Sequence, residues 1–74
     1  MASLLLHNDS KNSFDDVIIA LMTVCGHDEI QAEQCALLAH YKGSYEIKDA
    51  SEMFEATMIA VPLVSFGLKV SIKV

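Results

Sequence analysis

No apolar run in this chain reaches the roughly 18 residues needed to cross a bilayer as a helix. The most hydrophobic window, ATMIAVPLVSFGL at 56–68, is broken by Pro62. No basic segment precedes the short run Leu4 to Leu6, which is itself too brief for the apolar heart of a signal peptide, so secretion is not implied. Positive charge is scarce: five Lys and Arg stand against ten Asp and Glu, a net charge of −5. That balance excludes a phosphate-binding surface and with it nucleic-acid partners, whose affinity rests on Lys and Arg. Cysteine is scarce too, with only Cys25 and Cys35 and no CxxC. Each lies in an apolar helical pattern where a thiol packs as a small hydrophobe, which predicts buried free thiols and a reducing, cytoplasmic setting. Linkers, repeats and low-complexity stretches are absent, so residues 1–74 read as one domain.

What the chain has in excess is apolar side chains, 53% of its 74 residues. A domain this short has difficulty burying enough surface, and the excess implies a densely apolar interior or a partner surface. Ser3 to His7 is a short apolar run ending in turn residues and reads as a strand. From Asn12 or Ser13 as N-cap, Phe14, Val17, Ile18, Leu21 and Val24 recur at helical spacing. Asp15 and Asp16 fall in the first turn, where the helix dipole favours acids, and Gly26 closes the helix. Asp28 with Gln31 makes a capping box for a second helix running to Gly43, packed antiparallel to the first. Tyr45 to Lys48 alternates as a strand, Ser51 caps a third helix through about Ser65, and Leu68 to Ile72 alternates as the last strand. The order βααβαβ predicts an α+β fold, a two-layer sandwich of a three-stranded antiparallel sheet against three helices. The third helix is apolar nearly all round and carries Pro62 near its end, so it is either deeply buried or covered by a partner.

Most chemistry-bearing patterns fail on spacing. His7, His27, His40, Cys25 and Cys35 show no zinc-binding interval, so no metal or other cofactor is expected, and His27 reads as a solvated loop residue beyond Gly26. No serine or cysteine sits in a nucleophile elbow, and the adjacent acids Asp15 and Asp16 diverge on their helix, so no catalytic activity is expected. Two features remain: the crowded polar loop HNDSKNS after the first strand, and His40 on an otherwise apolar helix face. The loop opens the first helix, and His40 lies near the end of an antiparallel second helix. Asn8, Asp9, Asn12 and His40 can therefore converge at one rim.

The stretches LLLHNDSKNSFDDVI and QAEQCALLAHYKG resemble the ClpS adaptors of bacterial AAA+ proteases, and GLKVSI resembles that family's last strand. The resemblance implies recognition of N-terminal degradation signals (the N-end rule) and delivery to a Clp-type AAA+ unfoldase. The substrate's α-amino group would be held by Asn8 and His40, with Asp9 helping through water, and the peptide backbone by Asn12. A large apolar first side chain would enter a pocket of Phe14, Val17, Ala36, Ala39 and Leu68. An ammonium has three donors and no acceptor, which suits an amide oxygen, a neutral imidazole nitrogen and an acidic field. Three departures stand out. Ser10 replaces the second loop acid, Ala36 stands where a bulkier residue is common, and Phe14 exceeds the usual methionine. Only Met1 to Ser3 precede the first strand, where relatives carry an extension used in delivery, so peptide binding is better supported than delivery. The implied protein is a monomeric, cytoplasmic peptide-binding adaptor with no membrane partner. The alternative is a scaffold module of the same fold that uses its apolar third helix, or the edge strand Tyr45 to Lys48, as an interaction surface.

Overall fold

A computed structural model of the chain describes residues 1–9 and 11–74. Ser10, the departure from the loop's second acid, lies outside the described residues. The elements run β1 (Ala2–His7), α1 (Phe14–Cys25), α2 (Glu29–Lys42), β2 (Ser44–Ala50), α3 (Met53–Ser65) and β3 (Val70–Lys73). The sheet order is β2-β1-β3, with β1 antiparallel to both neighbours. The expected α+β sandwich of three strands and three helices is therefore the observed architecture.

The two-residue period of β1 sends Ala2, Leu4 and Leu6 into the interior and leaves Ser3, Leu5 and His7 on the opposite face. Around Leu5 that outer face is polar: Ser3 Oγ donates to Asp49 Oδ1 at 3.0 Å, and His7 Nε2 lies 2.7 Å from Ser71 Oγ. On the inner face Leu4 and Leu6 join Ala20, Leu21 and Cys25 of α1, Ala32, Cys35 and Ala39 of α2, Ile47, Leu63 and Leu68 in one cluster. Both cysteines are free and buried, as their apolar setting predicts, and burial pushes both thiols up from their ordinary pKa.

Capping sets the helix starts. Ser13, rather than Asn12, is the N-cap of α1, its Oγ accepting from Asp16 N at 3.1 Å, and Asp28 caps α2 through Gln31 N at 2.7 Å. Ser51 does not cap α3. Glu52 holds that position without a side-chain bond, and Ser51 Oγ donates to Glu55 Oε2 at 2.8 Å instead. At the far end of α3, Gly67 adopts φ 90°, and its N–H bonds Val64 O at 2.8 Å while Leu68 N–H bonds Leu63 O at 3.1 Å. This Schellman closure turns Leu68 inward beside Leu63, its N–H committed to the end of α3. The turn holds Leu68 out of the extended strand, and β3 starts at Val70 rather than at Leu68.

Two features of β2 depart from the sequence pattern. The strand extends to Ala50, and its register with β1 slips between Leu4↔Lys48 and Leu5↔Glu46, so Ile47 is the unopposed residue of a bulge. The Ile47 carbonyl is met by His27 Nε2 at 2.9 Å, and His27 is buried rather than solvated. A buried carbonyl requires a donor, and His27 supplies it from the α1–α2 connection. The bulge also lets Lys48 reach the end of α1, its Nζ 3.4 Å from Cys25 O, where a cation complements the helix dipole.

Within α3 only Ala56 and Leu63 are fully buried, while Phe54, Met58 and Val61, on one stripe, are more than half exposed. The helix is thus apolar on both its inner and outer faces. Leu63, fully buried, fixes its inner face. Leu63→Ala is expected to cost about 2–5 kcal/mol, read as a lower urea midpoint. A substitution that left the midpoint unchanged would show that α3 is not anchored through this residue.

Candidate functional site

The candidate site forms where the loop after β1 meets the ends of α2 and α3. Its backbone is held from both sides. His7 N–H donates to Lys69 O at 2.9 Å, and Asn8 N–H to Gly43 O, also at 2.9 Å. Gly43 ends α2 at φ 89°, with its own N–H on Ala39 O, so its carbonyl turns back toward the β1 end. His40 lies one turn before that glycine, exposed at the rim with its ring edge-on to Tyr41 at a centroid distance of 5.4 Å. The Asn8–Gly43 bond thereby draws the polar loop to the His40 end of α2.

Asp9 organises the loop. Its Oδ1 accepts from Lys11 N at 2.7 Å and from Asn12 N at 3.2 Å, and its Oδ2 accepts from Asn12 Nδ2 at 3.3 Å. The Lys11 N–H is the main cause of an Asp9 carboxyl held below the usual carboxylate range. Partial burial opposes the effect, and the Asn12 N–H and side chain and the Lys11 charge reinforce it. Asn12 Nδ2 also donates to Gly67 O at 2.7 Å, tying the loop to the α3–β3 turn. A carboxamide nitrogen has two hydrogens, and Asn12 commits both, which leaves its Oδ1 as the group able to meet a ligand.

Beneath this rim lies a cavity of about 70 Å³. Each residue singled out from the sequence lines it: Asn8, Asp9, Asn12 and His40 at the polar edge, and Phe14, Val17, Ala36, Ala39 and Leu68 on the apolar wall. Phe14 and Val17 come from the first two turns of α1, spaced i, i+3 on one face, and Ala36 and Ala39 from the facing side of α2. The two alanines are small enough to leave the space open. Ala36, Ala39 and Leu68 are buried, whereas Phe14 is 39% exposed at the mouth. Leu6 and His7 line the cavity as well. Leu6 was legible as the last inward residue of an alternating strand; His7 stands at the strand's end with its imidazole bonded to Ser71. Among the described residues no three His, Cys, Asp or Glu side chains come together as a metal site.

Residues 1–60 match the family model described as ATP-dependent Clp protease adaptor protein ClpS. The chain belongs to the ClpS family. Among curated proteins no significant match is found. The ClpS match spans β1, α1, α2, β2 and more than half of α3, and so contains both the loop and His40, while Gly67 and Leu68 lie beyond it. Membership in ClpS gives the chain the part of an adaptor in Clp-dependent protein degradation, with a Clp AAA+ protease as its partner. No helix is long and apolar enough to cross a membrane among the described residues.

The Asp9 geometry makes loop order depend on pH. A carboxyl held lower in the folded chain than in the unfolded one contributes stability that is complete above the unfolded pKa and is lost as pH falls through the folded one. Protection of the Lys11 and Asn12 amides against hydrogen exchange, corrected for intrinsic rates, is therefore expected to drop below about pH 4. Asp9→Asn, which keeps a carbonyl acceptor, should abolish that pH dependence. Protection that stays constant into strong acid would show that Asp9 does not hold the loop.

Proposed function

We propose that the chain binds the free N-terminus of proteins bearing a large apolar first residue and presents them to a Clp AAA+ unfoldase. One observation carries the reading: an apolar cavity closed at its rim by Asn8, Asp9 and His40. An α-ammonium at this rim donates to the Asn8 side-chain oxygen and to a His40 ring nitrogen, while the first side chain fills the space below. Asp9 acts through its field. The loop occupies three of roughly four acceptor positions on its carboxylate, and the negative charge remains beside the amine. Asn12 Oδ1 accepts from a peptide N–H.

The energies suit a weak, reversible adaptor. Burying one large side chain gives about 1.5–3 kcal/mol, and each charge-assisted bond about 1.5–3 kcal/mol. The cost of association offsets much of this sum, so binding is weak and reversible. Cavity size adds a preference. About 70 Å³ is well below the roughly 150 Å³ of a cavity that holds benzene, so leucine fits better than an indole.

A second reading has support from the outer face of α3. Phe54, Met58 and Val61 at i, i+4 and i+7 form an exposed apolar stripe suited to a scaffold contact. A stable dimer in sedimentation, together with indifference to peptides, would favour it.

Fluorescence anisotropy with Leu-, Trp- and Gly-initiated peptides separates the two readings. The Leu peptide is expected to bind tightest, and N-acetylation should weaken it at least tenfold by removing the ammonium. Equal binding of the acetylated and free peptides would eliminate the proposed amine contact.

A further inference from the structure

The cavity opens into a broader cleft of roughly 890 Å³ that shares its polar rim and continues past Asn12 and Gly67. Two of the chain's five basic residues, Lys11 and Lys69, line that cleft and both are exposed. Their backbones are fixed. Lys11 N–H is held by Asp9, Lys69 O accepts from His7, and the segments carrying them are joined by the Asn12–Gly67 bond at 2.7 Å. Lys11 adjoins one end of that cross-link and Lys69 follows the other by two positions. Each long side chain thus springs from a rigid base beside the route out of the cavity.

The remaining titratable groups lining the cleft are Asp9 and His40. Asp9 turns its carboxylate into the loop, onto the amides of Lys11 and Asn12. A peptide whose amine sits at Asn8 and His40 and whose chain leaves through this cleft would pass Lys11 and Lys69 at its second and third residues. We infer that Lys11 and Lys69 select substrates carrying Asp or Glu at the second or third position. The inference rests on the peptide-binding reading of the cavity and adds to it a requirement beyond the first side chain. Exposed pairs of this kind are individually weak and screened by salt, which sets the expected effect at roughly two- to tenfold for the two lysines together.

The protein's net charge of −5 makes the test discriminating, because repulsion by the whole molecule would rank acidic peptides last. Peptides beginning Leu-Glu-Glu, Leu-Ala-Ala and Leu-Lys-Lys, each free and N-acetylated, are titrated by anisotropy at low and at high salt. The expected order at low salt is Glu over Ala over Lys, with the spread shrinking as salt rises. The spread should disappear in a Lys11→Gln, Lys69→Gln double variant and persist when both lysines become arginine. A reversed order, or one unchanged in the double glutamine variant, overturns the inference while tight binding of free Leu-Ala-Ala leaves the cavity reading intact. Failure of every free Leu peptide to outbind its acetylated form overturns both.

Discussion

The site depends on a polar loop held between two helix ends. α2 and α3 each finish at a glycine with φ near 90°, a conformation that a residue with a Cβ adopts at a cost. The reversed backbone offers one carbonyl from each helix to the same loop: Gly43 O takes Asn8 N–H and Gly67 O takes Asn12 Nδ2. Remove either glycine and the loop loses an anchor, the rim loses its geometry, and the cavity loses its lid. The helices matter to the site as much for where they stop as for the apolar faces they pack. Leu68 belongs to the same logic, since the Schellman turn that positions Gly67 O also drives Leu68 into the cavity wall.

This arrangement divides labour within one short loop. Asp9 and the Asn12 amide nitrogen are internal fasteners. In the proposed function the Asn8 and Asn12 side-chain oxygens and His40 are the acceptors left for a ligand. A loop of single-purpose polar residues would either collapse on itself or stay disordered. Here the charged member spends its strongest bonds on backbone N–H groups and still contributes its field, so order and negative potential come from one side chain.

Much of this was legible in the sequence because local signals agreed with one another. Ser13 and Asp28 mark helix starts, Gly26 and Gly43 mark stops, and the i, i+3 spacing of Phe14 and Val17 puts both on the cavity side. Illegible features are those settled across the chain. The bulge at Ile47 has no local signature, and without it nothing predicts that His27 is drawn inside to satisfy a carbonyl. The partner of Asn12 lies 55 residues away, so its side chain reads as a cap, a role the structure gives to Ser13. Lys48 similarly looks like an outward strand residue until the register slip brings it to the end of α1. In each case long-range hydrogen bonding overrides a sound local preference.

The bulge has a consequence for assembly. β2 is an open border of the sheet, seven residues long in a chain that is more than half apolar, which is the setting in which strands of neighbouring molecules zip together. An unopposed Ile47 with its carbonyl occupied by His27, flanked by Glu46, Lys48 and Asp49, deprives an incoming strand of a straight, uncharged template. The same irregularity that hides a histidine therefore makes this border a poor template for a further strand.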